Sequence, residues 1–316
     1  MAQWRYRPSA AVVVCAAGCW RLAGGVSVSS VHALARQPVQ ELLQGAADIS
    51  TSLGRLSGHS SLDPVTRHFL ASLRVCGACD SFRRLGEAHD GGYLTCMDGW
   101  AQGGVKAAFS MGVEHHDKWS QDMSALLKGG SGRTVLHQFD CTVSSGQACP
   151  GCEFHKICIA AENATEKQDF WSLSQVLKHT GLENTPDRSL IMKMDIEAAE
   201  WPILSSERTD VLQKFRQVIL EFHWLNQEAK HKQYDAAVQT LLQAGFSVVH
   251  IHGNNCGGGM YSVPGSSVSV PNVLEVTFVA DARRIECQNR QTISPLDADN
   301  AANIDSLPMA TLPGNM

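Results

Sequence analysis

Three observations predict an α/β chain built on a doubly wound, mostly parallel seven-stranded sheet with an antiparallel edge strand. Apolar runs of strand length alternate with amphipathic helical stretches between residues 105 and 279, the pattern of parallel strands joined by helical crossovers. The last two runs, 246–251 and 273–279, are separated by a Gly/Ser/Pro-rich loop without a helix, so the final strand reads as antiparallel at the sheet edge. Each run ends in a polar cluster, as expected where ligands bind beyond the carboxyl ends of the strands.

Residues 1–37 read as a targeting leader. Residues 1–40 contain no acid, carry Arg5, Arg7, Arg21 and Arg36, and include the apolar run 10–19. That run is shorter than the ~20 residues a membrane span needs. It resembles a secretory signal or a marginal signal anchor, with an organellar transit peptide as the alternative. Residues 38–75 read as a helical extension, with Leu42, Leu53, Phe69, Leu70 and Leu73 as packing positions. Residues 76–287 form the main domain. Residues 288–316 have scattered Pro, Asn, Asp and Ser without periodicity and are expected to be a disordered tail.

Within the domain, Asp90-Gly91-Gly92-Tyr93 predicts a tight turn between two short strands. Strand 105–113 precedes a helix at 119–128; strand 134–141 and a third strand at 155–161 precede a helix at 171–180. Strands 189–197 and 217–223 follow, then an amphipathic helix over 234–244 that Gly245 closes. The cysteine pairs Cys76-x-x-Cys79 and Cys149-x-x-Cys152 lie too far apart in sequence for a compact zinc ribbon. With Cys96, Cys141 and Cys158 nearby, disulfides in an oxidising compartment, buried free thiols and zinc stay open as readings. The sequon Asn163-Ala164-Thr165 accords with secretion. A net charge of −5 without a basic stripe excludes a general nucleic-acid binder. Membrane contact is expected only through the N-terminal segment.

The chain is organised around residues 189–201, an apolar strand that runs into Asp195, Glu197 and Glu200. Alternation sets Leu190, Met192, Met194 and Ile196 on one face and Ile191, Lys193, Asp195 and Glu197 on the other. A lysine inside a covered parallel strand needs a buried anion, and Glu221 is the expected partner. Gly112 permits close backbone approach to a ligand. Asp140, ending the second strand, is placed to accept ribose hydroxyls, with a turn-forming role as the alternative.

The order of these signals resembles the FkbM-like and related methyltransferase-like families of the class I S-adenosylmethionine-dependent methyltransferases. The resemblance covers residues 76–281. It rests on Cys79-x-x-Phe82-Arg83-x-x-Gly86 with Asp90-Gly91-Gly92-Tyr93 and Cys96, on Phe109-Ser-Met-Gly112, Phe139-Asp140 and Lys193-Met-Asp195-Ile-Glu197-Ala-Ala-Glu200-Trp201, and on Glu221-Phe-His223 and His252-Gly-Asn254-Asn255 followed by Glu275-Val-Thr-Phe. It implies a Rossmann-like fold, S-adenosylmethionine as cofactor, and methylation of a hydroxyl on a glycan or small molecule. The alternative is a catalytically silent relative that serves as a binding or scaffold protein. No Gly-x-Gly-x-x-Gly follows the first strand, which argues against a nicotinamide-dependent dehydrogenase.

The expected cofactor-binding residues are Gly112, Glu114, Asp140, Asp195 and Glu197. His223 and Asp195 are the expected catalytic residues, because an alcohol must lose its proton as the new bond forms and imidazole titrates near neutrality. His252, Asn254 and Asn255 are the expected substrate-side residues. A divalent metal on Asp195, Glu221, His223 and His252 has suitable hard ligands but no fixing spacing, and is not predicted. Two positions depart from the family pattern. Gly112 is followed by Val113-Glu114 instead of a glycine-rich turn, and Ala198 stands where the family usually has glycine. At a positive φ, alanine carries strain of roughly 1 kcal/mol; the reading here is a helix start, where it is harmless.

Overall fold

The computed structural model of the protein describes residues 62–128, 133–164, 169–288, 294–301 and 307. The leader and residues 38–61 of the helical extension lie outside the described residues. What is described of that extension is helix α1 (Pro64–Ser72), with Pro64 in its first turn and Asp63 accepting from Thr66 N at 2.8 Å. Proline fits there because the first helical amides have no intrahelical acceptor to lose. Among the described residues no helix is long and apolar enough to cross a membrane.

A hairpin of β1 (Phe82–Gly86) and β2 (Gly92–Cys96) follows, antiparallel as the Asp-Gly-Gly-Tyr turn predicts. Next come β3 (Ala107–Met111), α2 (Lys118–Leu126), β4 (Leu136–Phe139), β5 (Cys152–His155), β6 (Cys158–Ile159), β7 (Phe170–Trp171) and α3 (Leu173–His179). The second half holds β8 (Leu190–Met194), α4 (Glu200–Ser206), α5 (Thr209–Leu212), β9 (Phe215–Phe222), α6 (His231–Gln243), β10 (Phe246–Gly253), the hairpin β11 (Met260–Ser262) and β12 (Ser269–Pro271), and β13 (Leu274–Ala280). The third strand falls earlier than its expected 155–161: β5 joins the sheet, whereas β6 pairs with β7 in a separate parallel ladder.

Seven strands form one sheet in the order β10-β13-β9-β8-β3-β4-β5. The chain builds outward from β3 to β4 and β5, then returns to add β8 and β9 on the other side, so the strand order reverses between β3 and β8. β13 is antiparallel to both its neighbours, β9 and β10, and so occupies the second position from the edge, correcting the expected edge placement. Both its faces are covered: Leu274, Val276 and Phe278 on one and Glu275 and Thr277 on the other are all buried, and both its edges are paired.

Alternation in β8 is as expected. Leu190, Met192 and Met194 join the cluster containing Phe69, Trp201 and Tyr234 of α1, α4 and α6, whereas Ile191 joins Leu85, Tyr93, Trp119 and Met123 of the β1–β2 hairpin and α2. Full burial of each such side chain contributes on the order of 1.5–3 kcal/mol. Eight cysteines among the described residues pair as disulfides with one another: Cys76–Cys287, Cys79–Cys96, Cys141–Cys158 and Cys149–Cys152.

Residues 294–301 are not free tail. Asn300 donates to Glu275 Oε1 at 2.7 Å and to Asp90 Oδ1 at 3.0 Å, Asn255 exchanges two hydrogen bonds with the Ala301 backbone, and Asp297 lies 2.9 Å from His250 Nε2. Buried polar groups of the domain supply this segment's partners. Such pairing is invisible to a periodicity argument.

Candidate active site

A cavity of about 780 Å³ opens beyond the carboxyl ends of β3, β4, β8 and β9 and is lined by Gly112, Glu114, Asp140, Asp195, Glu197 and His223, among others. It lies at the point where the strand order reverses, the crevice in which open α/β sheets bind their ligands. Asn254 also lines it. Two other expected substrate contacts are elsewhere: His252 faces Asp297 at 3.9 Å and Asn255 bonds the Ala301 backbone. Both face residues 294–301, whereas Asn254, Cys256, Gly257 and Gly258 line the cavity.

Gly112 follows β3 at φ +76°, and a Cβ there would lie 1.7 Å from the Asp195 carbonyl oxygen. The first turn and the turn after β8 therefore touch through glycine's missing side chain. Gly112 O accepts from Lys193 Nζ at 2.8 Å. The nearest carboxylate to that ammonium is Asp195, Oδ2 at 3.5 Å, so Asp195 takes the place expected of Glu221. Burial opposes the Lys193 charge, but Asp195, Asp117 and Glu221 outweigh it and hold its pKa above the ordinary value. Lys193 also lies over the Tyr93 ring, 5.2 Å from its centroid.

Tyr93 Oη lies 2.8 Å from Asp195 Oδ2 and 3.0 Å from Glu221 Oε2. One phenolic proton serves only one carboxylate at a time. Burial, then the neighbouring Asp195 charge, push the Glu221 carboxyl well above the carboxylate range, so of the two carboxyls Glu221 is the one that holds a proton more readily. Burial also works against an ionised Asp195, but Lys193, His223 and the Tyr93 hydrogen bond lower its pKa. Asn254 Nδ2 donates to Glu221 Oε1 at 2.8 Å and completes the network.

The acidic block continues into two left-handed residues, Glu197 at φ +58° and Ala198 at φ +76°. The helix begins only at Glu200, so the helix-start reading of Ala198 is corrected. The turn needs that conformation to direct Glu197 into the cavity while Glu200 folds back, accepting from Ile196 N at 2.6 Å. Trp201, stacked between Phe222 and Tyr234 with centroids 4.0 Å from each, donates to the His223 carbonyl at 2.8 Å.

His223 is surrounded by acids. Its Nδ1 lies 3.4 Å from Glu200, and its Nε2 is 3.7 Å from Glu197, 3.7 Å from Glu221 and 3.8 Å from Asp195. Burial alone would lower its pKa, but the Glu200 contact and the charges of Glu200, Glu221 and Asp195 raise it to about 10. The ring is an imidazolium at neutral pH, which changes its expected role: a protonated histidine stabilises negative charge and does not accept a proton. Burial raises the pKa of Glu197, with Asp195 and Glu200 adding to it. Half-exposed and turned to the cavity, Glu197 is the stronger base of the two acids that meet His223 Nε2 from the β8 turn. Asp195, Glu200 and His223 also present ligand atoms within 4.8 Å of one another, a hard-ligand set compatible with a divalent cation.

Asp140 bonds neighbouring turns, the role given above as the alternative to ribose contact. Its Oδ2 accepts from Val113 N at 3.1 Å and Glu114 N at 2.9 Å, and its Oδ1 accepts from Thr142 N at 2.8 Å and Thr142 Oγ1 at 2.6 Å. Burial opposes its charge, and these four hydrogen bonds outweigh that and lower its pKa. The carboxylate thereby ties the Gly112 turn to the end of β4. Trp224, Thr142 and Ile157 also line the cavity; of these only Trp224, an aromatic directly after His223, leaves a sequence signal. No protein-family model, no curated protein and no solved structure matches the chain.

Proposed function

We propose that the protein is an S-adenosylmethionine-dependent methyltransferase acting on a hydroxyl of a glycan or small molecule. The observation that carries this reading is the cavity at the strand-order reversal, bounded by Gly112, Asp140 and Asp195. Its volume suits a ligand of nucleoside size. Its excess of acids favours a ligand bearing a sulfonium cation. Glu114 and Asp140 are the groups for the nucleoside end, beside the Gly112 backbone. The cofactor supplies an electrophilic methyl, and the chain must position a hydroxyl in line with it and exclude water. Glu197 takes the hydroxyl proton, and the His223 imidazolium steadies the oxygen as charge develops on it. Asp195, fixed by Tyr93 and Lys193, orients the acceptor.

The disulfides among the described residues support passage through an oxidising compartment, and with the acid-free leader we place the protein in the secretory pathway. A silent binding protein is the second reading, favoured by the Asp140 carboxylate having all its acceptor positions filled within the chain. Calorimetric titration with S-adenosylmethionine, with NADH as control, tests the site. Micromolar binding weakened at least tenfold in Asp140→Asn is expected, and binding indifferent to Asp140 would overturn the nucleoside placement. Methyl transfer to hydroxylated acceptors, lost in Glu197→Gln with cofactor affinity retained, separates the enzyme from the silent protein.

A further inference from the structure

Strands β4 and β5 bring two histidines and a glutamate together away from this cavity. His137 pairs with Glu153, and Phe139 with His155, so alternation puts His137, Glu153 and His155 on one face of the outer sheet. His137 Nδ1 lies 3.1 Å from His155 Nε2 and 3.7 Å from Glu153 Oε2. The ligand atoms of all three lie within 4.8 Å of one another. They line a second cavity of about 320 Å³, which also receives Thr134 and His179 and shares no lining residue with the first.

We propose that His137, His155 and Glu153 form a zinc site that clasps the edge strand β5 to β4. Tetrahedral zinc with Zn–N bonds of about 2.0–2.1 Å sets its nitrogen ligands about 3.3–3.4 Å apart, close to the spacing of these two ring nitrogens. Two imidazoles and one carboxylate favour zinc over magnesium or calcium, which take oxygen ligands. Thr134 Oγ1 donates to Glu153 Oε2 at 3.3 Å, the outer hydrogen bond that orients a metal-bound carboxylate. The neighbouring cysteines are closed as Cys141–Cys158 and Cys149–Cys152 and offer no competing thiolate. The second cavity has room for a water as fourth ligand.

Without metal, the facing nitrogens share a single proton, and a zinc ion in its place satisfies both lone pairs at once. The test is titration of the full-length, chelator-treated protein with zinc chloride by calorimetry, repeated with cobalt(II) for its visible absorption. One zinc per chain is expected, with the absorption of a four-coordinate cobalt site. His155→Gln should abolish it. Glu153→Gln, at a half-exposed side chain, should lower the affinity at least tenfold while the near-ultraviolet dichroism of the metal-free protein stays unchanged. Asp195→Asn and His223→Gln should leave zinc binding intact. Absence of stoichiometric binding, or loss in the Asp195 and His223 variants with retention in His155→Gln, would overturn the assignment.

Discussion

Replacing His223 by glutamine tests the electrostatics of the cavity most directly. The imidazolium faces Glu200, Glu197, Glu221 and Asp195 within 3.4–3.8 Å, and its pKa of about 10 compares with an ordinary 6.5. At 1.36 kcal/mol per pKa unit, that difference corresponds to about 5 kcal/mol of stability. It is an upper bound, because Nδ1 makes no aligned hydrogen bond to Glu200. Since the folded-state pKa is raised, this stability is fully present below pH ~6.5 and is lost as pH climbs toward 10, where the native state has bound the extra proton and the unfolded chain has not. Urea unfolding at pH 6, 7, 8 and 9 should show the wild-type advantage over His223→Gln shrinking by up to ~1.4 kcal/mol per pH unit above 6.5. Groups common to both proteins cancel in that difference. A difference that stays flat from pH 6 to 9 would show His223 to be neutral, and the proton-acceptor role would return to it.

Gly112→Ala should destabilise the domain by several kcal/mol in urea unfolding, because its Cβ meets the Asp195 backbone 1.7 Å away and neither turn has a flexible side chain to move. Ala198→Gly removes a strained φ of +76° and should raise the thermal midpoint by about 1–3 °C, corresponding to a net gain of up to ~1 kcal/mol after the entropy cost of glycine; a lower midpoint would mean that the methyl's packing outweighs the strain. Asn300→Ala removes the amide that joins Glu275 to Asp90, and a loss of about 1–2 kcal/mol together with faster proteolysis after residue 288 is expected. Unchanged proteolysis would show that residues 294–301 are held by other contacts.

Much of the architecture was readable because it depends on local chemistry. The period of apolar residues sets strand against helix, and the alternation in 189–197 assigns Lys193 and Asp195 to the same face as Ile191. Gly112, Glu114, Asp140, Asp195, Glu197, His223 and Asn254 were identifiable as cavity residues because strand ends in such a sheet converge by topology. The fate of His252 and Asn255 was not readable, since their partners Asp297 and Ala301 lie far along the chain in a stretch with no pattern of its own.

The sequence alone determined the α/β class, the strand whose acids line the cavity and the glycine that lets two turns meet, because these follow from side-chain period and backbone freedom. Tertiary structure decided where β13 inserts, how the cysteines pair, that Ala198 is left-handed, that Asp195 rather than Glu221 is the carboxylate nearest Lys193, and that His223 is charged. Each of these depends on groups distant in sequence meeting in a low-dielectric interior, where a separation of a few ångströms sets which proton stays and which partner is satisfied.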